Sequence, residues 1–264
     1  MRPAVPRSRL AVARRITPGT PRAEGPEGSL DCLLLAPAPD WVAVDLATGA
    51  LVRSGLTSGP VPELLESGGP LRCLRLALAP AGGAWDPSRP EAVGVAAAEE
   101  TASPPRRSVR RLLALLAEDG ARSMGSGSGP GAGGPGLLGG IGPSLPFVEL
   151  SGDRPSVTVL DPDAGKVRIV HRSDSELVAH FRLAASPHAL PLARGAARWV
   201  TGGEVPTVSG RSVAGYRGRR RSREDVAALG PGLETAVHVL LVVGLDRPAG
   251  GQVRKLVLGV VPTQ

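Results

Sequence analysis

Val237-His-Val-Leu-Leu-Val-Val-Gly-Leu-Asp-Arg-Pro-Ala-Gly-Gly-Gln-Val-Arg-Lys-Leu-Val-Leu258 is two apolar runs broken by a short polar turn. The Asp246 side chain can hydrogen-bond backbone groups just downstream, and a glycine supplies the positive φ that closes a tight loop. Between β-branched runs, that combination reads as a β-hairpin. The same order occurs at Asp45-Leu-Ala-Thr-Gly49 and at Asp161-Pro-Asp-Ala-Gly165, again between apolar stretches. Eleven Asp and 36 Gly in 264 residues produce about one or two such spacings by chance. The flanking runs therefore carry the inference, and the three turns count as independent hairpins.

Outward from these turns, composition bounds the rest. The chain has no Asn, only Lys166 and Lys255 against 29 Arg, a single tyrosine (Tyr216) and two phenylalanines (Phe147 and Phe181). Residues with AT-rich codons are depleted throughout, so a high-GC bacterium explains the Arg-over-Lys bias without invoking phosphate recognition. The formal charge of +7 is unevenly placed. Residues 1–28 hold six Arg against two Glu, residues 102–122 five Arg against two acids, and residues 211–225 six Arg against two acids. The remaining body is slightly acidic, so the basicity belongs to three short segments. Cys32 and Cys73 sit in apolar runs and read as buried small hydrophobes. No run approaches the 18 apolar residues of a membrane span, and the Arg- and Pro-punctuated N-terminus lacks a signal-peptide core, so the expected compartment is the cytoplasm.

The expected order is a disordered basic tail (1–28), a small β-rich module (29–100), an amphipathic helix (101–119), a Gly/Ser/Pro-rich linker (120–142) and a larger β barrel or sandwich (143–264). Within 29–100 the patterns predict strands at 30–36, 41–46, 50–54, 71–79 and 92–98, with a helical turn at 61–66. Val109, Leu112, Leu113 and Leu116 give one apolar helical face, with Gly120 as the stop. Four Arg in its early turns oppose the helix dipole, which a solvated face or an anionic partner would offset. The larger part predicts strands near 145–150, 156–161, 166–172, 178–184, 196–201, 236–245 and 252–261, and a short helix at 223–229. Gly129–Gly134 spells a dinucleotide fingerprint without the strand and helix it needs, a low-complexity coincidence.

One hairpin offers a candidate site. A five-residue loop at 173–177 would pair Ile169 with Phe181 and Val167 with Leu183 on the inner face. The outer face would then oppose Arg168 to Arg182, Val170 to His180 and Arg172 to Val178, leaving a basic stripe. Such a stripe calls for an internal carboxylate (Glu149, Asp153 or Glu176), plain solvation, or a bound phosphate or nucleic-acid backbone. Arg217-Gly-Arg-Arg-Arg-Ser-Arg223 is a second basic run of the kind that attracts phosphates. The candidate anion-binding residues are Arg168, Arg172, His180, Arg182, Arg217, Arg219, Arg220 and Arg221. His171, His180, His188 and His238 lie too far apart for a short metal motif, and no catalytic or nucleotide-binding signature occurs. His238, in the most apolar strand, reads as a core histidine bonded to backbone.

Val42-Ala-Val-Asp-Leu-Ala-Thr-Gly-Ala-Leu-Val52 resembles the inner hairpin of quinoprotein-type β-propeller repeats, where an Asp-x-x-Thr-Gly turn joins two strands. Those propellers repeat every 40–50 residues or so. No such period recurs here, so the resemblance implies shared turn chemistry.

The sequence thus predicts a mainly β protein (β-rich α+β), with antiparallel hairpins forming a barrel or sandwich, one amphipathic helix and one short helix. The expected function is a non-enzymatic binding or scaffold protein acting through protein–protein contacts, without cofactor or metal and away from membranes. The alternatives are a nucleic-acid-binding accessory protein using the Arg-rich hairpin face and the 217–223 run, and an enzyme with a dispersed site.

Overall fold

The first half of the chain closes into a barrel. The computed structural model describes residues 28–55, 61–66, 69–79, 89, 91–125, 144–146, 155–163, 167–173, 176–202, 212–215 and 238–263. Strands β1 (Ser29–Ala36), β2 (Val42–Asp45), β3 (Leu51–Ser54), β4 (Cys73–Ala79) and β5 (Ala92–Glu100) form a ring in the order β1-β2-β3-β5-β4. A helical turn, α1 (Glu63–Glu66), lies between β3 and β4. Every pairing is antiparallel except β3–β5. Side chains alternate along each strand, which sends Cys32, Leu34, Ala43, Val52, Leu74 and Leu76 inward to meet Trp41 and Leu65. The Asp45 turn closes as its chemistry requires. The Ala47 N–H donates to Asp45 Oδ1 at 2.9 Å, the Thr48 hydroxyl donates to Oδ2 at 2.6 Å, and Gly49 takes φ 74°.

Beyond the barrel come α2 (Arg106–Gly125), β6 (Ser144–Pro146), β7 (Val157–Leu160), β8 (Arg168–Ser173), β9 (Glu176–Leu183), β10 (Ser186–Pro191), α3 (Arg194–Thr201), β11 (Ser212–Gly215), β12 (His238–Leu245) and β13 (Gln252–Thr263). They build two antiparallel sheets, β6-β13-β12-β7 and β10-β9-β8-β11. The first of these is the middle layer of the molecule. On one side Val239, Leu241, Val243 and Val257 pack against Ile169, Leu177 and Phe181 of the outer sheet and Val200 of α3. On the other, Leu240, Val242, Leu256 and Leu258 meet Leu33, Leu35, Val42 and Val44 on the outside of the barrel, with Leu113 and Leu116 of α2. Burial on both faces explains why β12 and β13 are continuous apolar runs rather than alternating ones.

A bulge refines this packing. Val242 pairs with Gly259 and Val243 with Val257, so β13 carries one extra residue. The extra residue switches the strand's facing: Leu256 and Leu258 before it, and Val261 after it, all reach the barrel side. Gly259 lies where the layers approach closely, since a Cβ there would be 2.5 Å from the Leu35 carbonyl oxygen. One apolar core thus crosses the compositional partition between 29–100 and 143–264.

Several elements depart from the sequence pattern. The Asp161–Gly165 stretch, expected as a hairpin turn, lies between strands of different sheets: β7 pairs with β12 in the middle sheet, and β8 with β9 and β11 in the outer one. Residues 196–201, expected as a strand, belong to helix α3. Ala193, Ala196, Ala197 and Val200 are buried at helical spacing, a signal outweighed in the reading by the β propensity of Trp199, Val200 and Thr201. Gly202 caps the helix in the left-handed region at φ 74°. Helix α2 does not stop at Gly120 but runs to Gly125. Gly120 is a contact point, since a Cβ there would run into the Val159 carbonyl oxygen. Strands β10 and β11 were not expected, because Pro187 and Pro191 break the β pattern and Ala184-Ala185 lacks the usual turn residues. Both alanines nevertheless take positive φ, 45° and 70°, and close the β9–β10 hairpin. Residues 1–27, 126–143, 147–150, 164–166 and 216–237, with the tail, most of the linker, the end of the 145–150 strand and the 223–229 helix, lie outside the described residues.

Candidate functional site

Strands β8, β9 and β10 present their outer face to solvent, and the site begins with their register. Arg168 opposes His180, Ile169 opposes Ala179, Val170 opposes Val178, and Ser173 opposes Glu176. This corrects the predicted pairing by two residues. The strands extend to Ser173 and Glu176, so two residues link them instead of five. A shift of two preserves the faces, and Ile169 and Phe181 still point into the core. The opposition of Arg168 to Arg182 disappears, and with it the repulsion that called for a bound anion.

Arg182 has a different task. Its Nη2 and Nε donate to the Ala185 carbonyl at 2.7 and 3.2 Å, while the Ala185 N–H donates to Asp163 Oδ2 at 3.2 Å. These bonds hold the strained Ala184-Ala185 turn. Arg168 is exposed on the same face beside His180. Arg172 and His180 come together in a groove of about 780 Å³. It is lined by the apolar Val170, Val178, Pro187, Ala189 and Pro191 and by the polar Arg172, His180, His188, Arg254 and Ser144. Arg217, Arg219, Arg220 and Arg221 lie outside the described residues.

Arg254 is the site residue that sequence reading missed. Its signal was the Arg254-Lys255 pair inside an otherwise apolar strand. Arg254 Nη2 donates to Glu176 Oε1 at 3.0 Å, and Arg172 Nη1 lies 3.8 Å from Glu176 Oε2. One carboxylate therefore serves two rim guanidiniums. Surface arginines on the barrel are compensated more fully. Arg75 lies between Asp31 at 2.8 Å and Glu99 at 3.4 Å, and Arg72 bonds Glu100 at 3.1 Å. At the groove wall, His188 stacks on Phe181 with ring centroids 5.4 Å apart. Burial, and then the nearby Lys255 ammonium, hold the His188 pKa below its ordinary value. Lys255 itself is 1% exposed, and burial pushes its pKa down to about 8.

A further charged cluster lies at the seam between the barrel and the middle sheet. Arg53, fully buried where the barrel meets the middle sheet, donates through Nη1 to Ser156 Oγ at 3.0 Å and to the Ser156 carbonyl at 3.3 Å. Glu91 accepts from the Ser156 N–H at 2.6 Å and from its hydroxyl at 2.7 Å. Arg89 lies 3.8 Å from both Asp40 and Asp246. Burial lowers the Arg53 pKa to about 10 and raises that of Glu91. This cluster ties β3 and β5 to the start of β7 and the end of β12.

His238 differs from the core histidine expected. It lies at the start of β12, 36% exposed, with Nε2 2.8 Å from Asp161 Oδ1. Cys32 and Cys73 are free and buried, and they point to opposite faces of the β1–β4 pair, into the barrel and toward the middle sheet respectively. Burial raises both thiol pKa values, that of Cys32 to about 12. Among the described residues no three His, Cys, Asp or Glu side chains converge as metal ligands, and no helix is long and apolar enough to cross a membrane. Comparison of the chain with protein-family models, curated proteins and solved structures finds no match, so the functional argument rests on this geometry.

Proposed function

We propose that the protein is a non-enzymatic binding module that acts through protein–protein contacts, taking an extended partner segment in the β8–β9–β10 groove. The observation that carries this reading is the groove itself, whose lining combines an apolar group of side chains with two arginines, Arg172 and Arg254. Apolar floors supply affinity, and a few placed polar groups fix orientation. Among the described strands β10 borders β9 alone in its sheet, and Pro187 and Pro191 deprive it of two backbone donors. Strand addition at that edge is disfavoured, so the partner lies across the face. The free Cys32 and Cys73, on neighbouring strands but pointing to opposite faces, fit work in the reducing cytoplasm.

Hydrogen–deuterium exchange of the full chain with pools of acidic, neutral and basic extended peptides tests the reading. Slowed exchange at 170–172, 178–180 and 187–191 with any pool supports it, and unchanged exchange with every pool refutes it. The alternative of a nucleic-acid-binding accessory protein draws on the same cations. Single-strand binders add aromatic stacking platforms, whereas Phe181 faces the core here. Protection of this face by a single-stranded oligonucleotide at low salt, lost as salt rises, favours that alternative.

A further inference from the structure

Two arginines that line the groove already share a carboxylate belonging to the chain. Glu176 Oε1 accepts from Arg254 Nη2 at 3.0 Å, and Oε2 lies 3.8 Å from Arg172 Nη1. The Glu176 side chain is 28% exposed and sits beside the two lining arginines. Arg254 and Arg172 are 55% and 68% exposed and keep further donors toward solvent. A guanidinium has five N–H donors in a planar fork, and one monodentate bond leaves most of them free for a second carboxylate.

Resting on the groove reading above, we infer that the partner segment is acidic, its carboxylate taking the position Glu176 holds between Arg254 and Arg172. Glu176 is an internal stand-in for the ligand. It keeps the two guanidiniums aimed at one point and competes weakly with the partner, because an exposed ion pair is worth little. The floor then accepts alternate apolar side chains of the same extended segment on Val170, Val178 and Ala189. An acidic peptide complements the rim, and a basic one meets repulsion from Arg254, Arg172 and Arg168 on that face.

Fluorescence anisotropy on the full chain tests this with two fluorescein-labelled peptides, one alternating Val with Glu and the other carrying Gln in place of each Glu. The acidic peptide is expected to bind about tenfold more tightly at low salt, with the preference shrinking as salt rises. Arg254→Gln removes the preference. Glu176→Gln raises affinity for the acidic peptide about two- to fivefold and leaves the Gln peptide unchanged. Thermal melts of the variants that match the wild type show that these surface changes leave the fold intact. Equal binding of the two peptides overturns the acidic inference while the groove reading stands. Binding of neither overturns both. A single-stranded oligonucleotide that displaces the acidic peptide and binds more tightly overturns the inference in favour of a phosphate backbone.

Discussion

Replacing Gly120 with alanine tests how α2 is seated. If Gly120 were an exposed position inside the helix, the substitution would gain about 1 kcal/mol of helix propensity. The structure gives the opposite sign. A Cβ on Gly120 collides with the Val159 carbonyl oxygen and lies 2.9 Å from Thr158 Oγ1, both on β7. Ordinary contact needs about 3.5 Å, so α2 must retreat from β7 or the sheet must bend. Retreat loosens Leu113, Leu116 and Ala117 from Val157 and Val159, the shared core between barrel and middle sheet. Overpacking of this kind costs about 1–3 kcal/mol, and loosened core contacts add to it, so the propensity gain is outweighed. The expected net loss of about 1–3 kcal/mol lowers Tm by about 2–4 °C per kcal/mol for a chain of this size. Urea unfolding of the full chain checks the free energy. Ala114→Gly, on the exposed face of the same helix, calibrates the propensity at about 1 kcal/mol. A Gly120→Ala protein as stable as wild type, or more stable, would refute the packing argument.

Three other outcomes follow from the same geometry. Arg53→Ala and Arg53→Met both leave Glu91 and Ser156 buried without this cation, and each is expected to cost about 3–5 kcal/mol in urea unfolding, Met less than Ala only by the packing it restores; an Arg53→Met protein as stable as wild type would show that the charge is not the issue. Ala185→Gly relieves a residue at φ 70° and is expected to add about 0.5–1 kcal/mol in thermal unfolding, while any loss would contradict the strained turn. Lys255 titrates near 8 in the folded state against an ordinary 10.5, so the unfolded chain binds more protons between those values and the lysine's contribution to stability rises with pH across that window. The raised Cys32 and Cys73 values act in the opposite sense, and the comparison with Lys255→Met cancels them: the wild-type deficit measured at pH 7 should shrink by pH 10, and a pH-independent difference would sink the assignment.

Local signals identified most strands because the side-chain period and the turn chemistry act over a few residues. Asp45 and Gly49 close their turn through bonds among neighbours, and the barrel strands appear where β-branched and leucine-rich runs place them. Signals failed where tertiary packing decided the role of a residue. Gly120 reads as a stop by propensity and serves as a contact by proximity to Val159. Ala184-Ala185 turns the chain without Asn or Gly because Arg182 and Asp163, at each side, bond Ala185. Trp199-Val-Thr201 is helical because Ala193, Ala196, Ala197 and Val200 bury one face. The candidate site was legible in half. Arg172 and His180 were visible as the outer face of a hairpin, while Arg254 arrives from a strand more than 70 residues away, in a pairing no local pattern encodes.

The amino-acid sequence by itself determined the class, a β-rich chain of antiparallel hairpins with one amphipathic helix, and it located the basic face on β8 and β9. Periodicity and turn chemistry suffice for that, because they depend on neighbours along the chain. Only the tertiary structure decided the register of that hairpin, the closure of the barrel, the seating of α2 and the union of both halves through a middle sheet buried on two sides. Those outcomes depend on which faces meet and on single carbonyl-to-Cβ distances, at Gly120 and Gly259, that have no local signature. The same cause placed Glu176 between Arg254 and Arg172, turning a predicted stripe of charge into a groove two of whose lining arginines share a carboxylate.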